Sequence, residues 1–296
     1  MTRLRSVLAA VALSTAAVAP MTVIAPAANA ATAPASHTVK RGETLAGIAA
    51  MYRIKGGWKT LAAWNNLPDP NTIRVGQKLT LTAPKATGKL LPATMKSTGG
   101  GTQLITVTAA SLKSTTGTLT WWTKSGKVWK QAGTAPARFG ANGLADGATR
   151  KQGTWTTPTG LFGMPFAFGT KPAPKGTSLP YKKVTNASWW CQDNKSTSLN
   201  RWVAPLPKDC RASEAEHLAD YTGQYAHAVV IDYNYAKPVK HRGAGIFLHV
   251  NGRGATAGCV SVPAAAMAKL TAWLKPNATP HIAIGTTSGT TAITRY

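Results

Sequence analysis

The sequence predicts two domains: a small β-α-α-β module over 37–82 and a larger, mainly β domain over 102–296 with one main helix. Three observations carry this prediction. Apolar residues recur twice at helical spacing within 37–82. The stretch 83–101, APKATGKLLPATMKSTGGG, is rich in Pro, Gly, Ser, Thr and Lys and has no sustained period, so it is expected to be a flexible linker. Beyond it the apolar segments are short and alternating, until one helical pattern appears at Pro263–Leu274. A chain of 296 residues has length enough for two such cores without a metal or disulfide scaffold.

The elements follow in order. Arg3 and Arg5 precede an apolar run, Val7–Val18, and Ala28-Asn29-Ala30 has the small-x-small form of a signal-peptidase site. Residues 1–30 are therefore expected to be a signal peptide and the mature protein to be secreted. No later segment has the roughly 18 unbroken apolar residues of a membrane span, and no Cys precedes position 191, so neither an integral span nor a lipid anchor is expected. In the first module a strand at His37–Val39 precedes Thr44, a helix cap, after which Leu45, Ile48, Ala49 and Tyr52 share a helical face. A second helix is expected at Trp58–Trp64, ended by Asn65-Asn66, and Ile73–Leu81 returns as a strand.

In the second domain Gln103–Ala109, Leu119–Trp122 and Lys127–Trp129 read as strands, with a turn at Ser125-Gly126. Ala228–Tyr233, Ile246–Val250 and His281–Ile284 are further strands, and Ser213–Leu218 reads as a helix. In Pro263–Leu274, Met267, Leu270, Trp273 and Leu274 share a face; Pro263 fits the first turn and Ser261 is placed to cap it.

Composition narrows the function classes. Lys and Arg number 34 against 9 Asp and Glu, a net charge of +25, with a hydrophobic share of 44%, which excludes a miniprotein and wholesale disorder. The charge suits any polyanion, nucleic acid, anionic lipid or wall polymer alike. An export signal and the lack of a nucleic-acid motif argue against nucleic acid. No CxxC or HxxxH spacing is present, so no metal and no cofactor is expected.

Three cysteines in an oxidising compartment leave one unpaired. Cys191 and Cys210, 19 positions apart in a polar stretch, are expected to form a disulfide, and Cys259 to be free. The strand Ile246–Asn251 alternates so that Phe247 and His249 are expected to be exposed on the face opposite Ile246, Leu248 and Val250. Ten residues after His249, Thr256-Ala257-Gly258-Cys259-Val260-Ser261 delivers a thiol just before the helix. A thiolate is the nucleophilic form, a nearby imidazole or helix start favours it, and backbone amides around Gly258 and Cys259 can hold an oxyanion. Acyl transfer is the reaction class this points to, with Cys259 as nucleophile, His249 as base and Gly258 at the oxyanion hole. His37, His217, His227, His241 and His281 read as structural or solvated.

Two resemblances sharpen this reading. Val39-x-x-Gly42-Glu43-Thr44-Leu45-x-x-Ile48-Ala49, Asn65 and Ile73-x-x-Gly76-Gln77-x-Leu79 are similar to the lysin motif (LysM). That resemblance implies binding of N-acetylglucosamine-containing glycan, with Gly42, Thr44, Asn66 and Leu67 near the groove. The second domain resembles an L,D-transpeptidase catalytic domain through Leu248-His249, Ala257-Gly258-Cys259-Val260 and Thr157-Pro158-Thr159-Gly160-Leu161-Phe162. It departs from the commoner Ser-His-Gly-Cys pattern, having Thr256-Ala257 before Gly258-Cys259, Ser261 where an Arg or Asn usually stands two residues after the cysteine, and a shorter His-to-Cys spacing, so the resemblance makes Asn251, Arg253 and Ser261 the candidate substrate contacts.

The fold so implied is a mainly β L,D-transpeptidase-like domain behind a β-α-α-β LysM module. The activity implied is cysteine-dependent transfer of a peptidoglycan tetrapeptide-stem acyl group, with release of D-Ala, to an amine. The implied partners are stem peptides and wall glycan, with anionic wall polymers compatible with the charge. An L,D-carboxypeptidase or other cysteine amidase, and a non-catalytic wall-binding protein, stay open on the same residues.

Overall fold

The computed structural model describes residues 34–65, 67, 71, 73–82 and 90–296. The signal peptide expected over 1–30 lies outside them. The chain divides into two compact units, Met1–Thr87 and Gly88–Tyr296.

The first unit contains β1 (Ser36–Thr38), α1 (Leu45–Met51), α2 (Gly57–Trp64) and β2 (Lys78–Thr80), with β1 and β2 antiparallel. The second strand is shorter than the Ile73–Leu81 expected. Thr44 caps α1 as predicted, its Oγ1 accepting from Gly47 N at 3.1 Å. Leu45, Ile48, Ala49, Leu61 and Leu79 fill the core. Asn65 ends α2 and ties it to the sheet: its Nδ2 donates to Leu61 O and Thr80 O, and its Oδ1 accepts from Thr80 N.

Among the described residues the second unit contains an eleven-stranded and a three-stranded sheet. Its strands are β3 (Gln103–Ala109), β4 (Thr116–Ser125), β5 (Val128–Arg138), β6 (Leu144–Asp146), β7 (Thr157–Gly163), β8 (Ala167–Gly169), β9 (Tyr181–Lys183), β10 (Trp189–Cys191), β11 (Arg201–Val203), β12 (Ala215–His217), β13 (Ala228–Val230), β14 (Phe247–Val250), β15 (Val260–Val262) and β16 (His281–Thr286). The long sheet runs β6-β7-β16-β3-β4-β5-β15-β14-β13-β8-β9 and the short one β11-β10-β12. The hairpin β4–β5 turns at Ser125–Gly126 as the sequence indicates, though both strands run longer than expected.

The main helix, α3 (Ala264–Trp273), buries Met267, Leu270 and Thr271. It begins at Pro263 without a side-chain cap. Ser261, expected to cap it, lies instead within β15 and donates to Asn251 Oδ1 at 2.8 Å. The linker expected over 83–101 is shorter at its C-terminal end. Leu90, Leu91 and Met95 pack on Leu104, Trp122 and Ile293, and Lys96 N and Ser97 N donate to Thr294 O and Tyr296 O. Its apolar residues, few as they are, find a cluster to cover. The stretch expected to be helical around Glu216 is the strand β12 between two short 3-10 turns, because it pairs with β10 through Trp189↔His217 and Cys191↔Ala215.

The small sheet is pinned covalently and by charge. Cys191 and Cys210 form a disulfide, as the sequence reading expected. Asp193, fully buried, accepts from Arg211 Nε at 2.7 Å and Nη2 at 3.0 Å, and those bonds hold its carboxyl well below the usual carboxylate range. Asn200, also buried, joins this sheet to the rest. Its Oδ1 accepts from Trp190 Nε1 (2.8 Å) and Gly245 N (2.9 Å), while its Nδ2 donates to Tyr233 O and Asn234 O.

Asn200→Ala strands two buried donors and two carbonyls, so it is expected to lower unfolding free energy by roughly 3 kcal/mol or more in urea titrations; a loss under about 1 kcal/mol contradicts the bridging role. Asp193 has its carboxyl pKa depressed in the fold, so its contribution is present above the ordinary carboxylate range and fades as pH falls through it. The melting-temperature gap between wild type and Asp193→Asn is therefore expected to be wide at pH 6 and to narrow as pH drops below about 4; a constant gap contradicts this.

Candidate active site

The strand order brings the thiol and the imidazole onto one face. β14 and β15 are parallel neighbours in the register Leu248↔Val260 and His249↔Ser261. Cys259 therefore enters beside Phe247, diagonal to His249. Neither face of β14 is open, contrary to the exposed strand face the alternation implied: Ile246, Leu248 and Val250 join one core, and Phe247 joins another with Phe168, Trp190, Tyr225 and Cys259. Edge-to-face contacts of Phe247 with Phe168, Trp190 and Tyr225 fix that wall.

The backbone at Cys259 is clamped. Its carbonyl accepts from Thr256 Oγ1 at 2.7 Å and from Thr157 Oγ1 at 3.1 Å. Thr157 is the first residue of the Thr-Pro-Thr-Gly-Leu-Phe stretch, and its hydroxyl also accepts from Gly140 N. Gly258 has φ +139, and a Cβ there would lie 2.9 Å from Arg150 Nη2 and 3.0 Å from Thr156 O, so only glycine fits. Its amide donates to Thr256 Oγ1 at 3.1 Å. The oxyanion role expected of Gly258 is thus not available to that N–H, because it is engaged in the turn that presents the thiol.

Cys259 Sγ donates to Gly245 O at 3.4 Å and accepts from Phe247 N at 3.3 Å. Among the described residues no hydrogen bond joins it to His249. Burial, with nearby Glu216 adding to it, pushes the thiol up to about 12 against the pull of Arg150. The expected thiolate-favouring setting is therefore replaced by a dry one, in which the resting group is the thiol. His249 is 6% exposed. Its Nδ1 donates to Val250 O at 2.8 Å, which leaves the Nε2 lone pair as the free position. Burial lowers it to about 4, so the imidazole is neutral.

Cys259 and His249 line one cavity of about 470 Å³, together with Gln192, Glu216, Tyr225 and Arg253. Of the three expected substrate contacts, Arg253 is on this lining. Asn251 and Ser261 are not on it: Ser261 is fully buried and donates to Asn251 Oδ1, while Asn251 is half-buried beside it. Glu216 is the residue that sequence reading did not single out. It accepts from Tyr225 Oη at 2.5 Å and Gln192 Nε2 at 3.3 Å, and burial pushes its carboxyl up to about 7. The scarcity of acids in so basic a chain was the available signal, but Glu214 and Asp220 share its neighbourhood, and the pairing of β12 with β10 that aims Glu216 is long-range.

In the first unit a cavity of about 440 Å³ is lined by Glu43, Thr44, Trp58 and Ile73. Thr44, one of the four residues expected near a glycan groove, lines this cavity. Gly42 adopts φ +82 in the preceding turn, Leu67 packs on the module core, and Asn66 lies outside the described residues. Among the described residues no cluster of three or more His, Cys, Asp and Glu could hold a metal, and no helix is long and apolar enough to cross a membrane.

Known proteins place both units. A LysM domain model matches residues 37–82, and an L,D-transpeptidase catalytic domain model matches 102–284. Over 54 residues the chain is 44% identical to the N-acetylmuramoyl-L-alanine amidase XlyA of Bacillus subtilis (strain 168), a match covering 18% of each protein. The solved structure of Bdellovibrio bacteriovorus Bd1075 matches at 17% identity and a TM-score of 0.32, covering 64% of this chain and 50% of that one. The chain thus spans half or less of the length of either relative. With the second model matching the greater part of the sequence, this protein belongs to the L,D-transpeptidase catalytic domain family and carries a LysM domain ahead of it.

Proposed function

We propose that this is a secreted, cell-wall-associated peptidoglycan L,D-transpeptidase in which Cys259 is the nucleophile and the LysM module holds the enzyme on wall glycan. The observation that carries the reading is the clamped Cys259 thiol in a cavity shared with the free Nε2 of His249. In the first half-reaction Sγ attacks the carbonyl of the third stem residue and its proton passes through His249 Nε2 to the departing nitrogen. A C–S bond forms, the C–N bond to D-Ala breaks, and D-Ala leaves as the amine. In the second half an acceptor amine attacks the thioester, forming C–N and breaking C–S. Of the two amides expected at the oxyanion hole, the Cys259 N–H is the one left for the task.

A neutral thiol beside a neutral imidazole suits transfer in which the proton moves only as the substrate carbonyl is attacked. The LysM unit, through the cavity at Thr44 and Trp58, supplies glycan affinity, and joining the two units raises the enzyme's effective concentration at stem peptides. The net charge of +25 adds attraction to anionic wall polymers.

Incubating the protein with disaccharide-tetrapeptide is expected to give a cross-linked dimer lacking one D-Ala, seen by mass spectrometry and absent with Cys259→Ala. Tripeptide without dimer would mean a carboxypeptidase, and no product would favour a binding protein. His249→Ala is expected to slow acylation about 100-fold or more; unchanged kinetics remove its role. Because burial pushes the thiol up to about 12, alkylation of resting Cys259 by iodoacetamide at pH 7.5 is expected to be at least about tenfold slower than that of a free cysteine and to rise with pH. Rapid, pH-independent labelling would contradict the buried thiol.

A further inference from the structure

The cavity's chemistry does not end with Cys259 and His249. Glu216 is one of only nine acidic residues in the chain and the only acid on this lining. Its two oxygens meet Tyr225 Oη and Gln192 Nε2, both neutral, and it forms no ion pair among the described residues. In a protein with 34 Lys and Arg, a partly buried carboxyl left without a cation on the wall of a reactive cavity is an opening for a cationic ligand.

We propose that Glu216 receives the acceptor substrate: it binds a primary ammonium group in the cavity and takes its proton, delivering the free amine to the thioester on Cys259. This rests on the acyl-transfer reading above and assigns its second half. The acceptor's ammonium gives one proton to the Glu216 carboxylate, which becomes the neutral acid. The amine nitrogen then attacks the acyl carbon, forming C–N and breaking C–S. The departing thiolate takes up a proton from Glu216, which restores the carboxylate, and the amide nitrogen sheds its second proton to solvent.

His249 is poorly suited to that step. A base that holds an ammonium proton becomes an imidazolium in a site whose burial disfavours it, whereas Glu216 becomes neutral, which the same burial favours. A carboxyl with a pKa near 7 is also balanced for proton exchange at neutral pH. Tyr225 and Tyr221 face Glu216 from the 218–226 segment and Cys259 faces it from the β15 side; Arg253 and His249 line the same cavity, and Arg150 acts on Cys259. Tyr225 lowers the carboxyl through its hydrogen bond.

The test uses the full chain with disaccharide-tetrapeptide as donor and two acceptors: Nα-acetyl-lysine amide, an ammonium at neutral pH, and hydroxylamine, already a free base there. Glu216→Gln keeps the shape of the side chain, and its acyl-enzyme formation is measured separately so that transfer is read per acylated enzyme. Its transfer to the lysine amine is expected to fall about 100-fold at pH 7.5 and recover tenfold per pH unit as the free amine accumulates, while transfer to hydroxylamine stays within a few-fold. Equal loss with both acceptors, or no loss with either, overturns the assignment. If the wild type forms no acyl-enzyme, the acyl-transfer reading falls first, and a wild type that acylates beside an unaffected Glu216→Gln overturns this inference alone. Should Glu216→Gln not fold, Tyr225→Phe decides: the pH midpoint of lysine transfer is expected to move up, and an unmoved midpoint overturns the proposal.

Discussion

The site depends on the double clamp at the Cys259 carbonyl. Thr256 and Thr157 both donate to that oxygen, one from the turn before the cysteine and one from a strand 102 residues earlier. The backbone leaving the clamp is β15, which inserts between β5 and β14 at the middle of the long sheet. The direction of the thiol, the register that sets His249 diagonal to it and the need for glycine at 258 all follow from where that carbonyl is held.

What the clamp achieves is a reactive group kept dry. The thiol rests between Gly245 O and Phe247 N with an aromatic wall behind it, and burial leaves thiol and imidazole alike in their neutral forms. Charge is then costly in the resting site, so the proposed acyl transfer would proceed by concerted proton movement rather than from a standing thiolate–imidazolium pair. The small sheet closes the same side. Its disulfide, the Asp193–Arg211 pair and the Asn200 bridge to Gly245 hold Trp190 against Phe247 and set Glu216 on the cavity wall.

Much of this was legible in local pattern. Helical spacing and the Thr44 cap gave the first module, alternation gave β3, β14 and β16, and the lone Cys259 after Gly258 lies on the wall of the same cavity as His249. The misreadings share a cause in long-range pairing. Ser261 looked like a cap because a helix follows it, yet Asn251 and β5 claim it for the sheet. Glu216 sat in a stretch of helical composition that β10 recruits as a strand. Gly258 stands out in the motif before Cys259, but only the placement of Thr256 Oγ1 shows that its amide is engaged within the turn. Residues 90–101 read as linker from composition, whereas three apolar side chains are enough to dock them.

The most direct measurement of the account is where the acyl group resides during turnover. Protein quenched in acid while reacting with a tetrapeptide stem would be weighed intact and then digested and mapped. The account predicts one added acyl mass, equal to the stem less D-Ala, on the peptide bearing Cys259. An adduct on any other residue, or turnover with no adduct at Cys259 under conditions that trap thioesters, would contradict it.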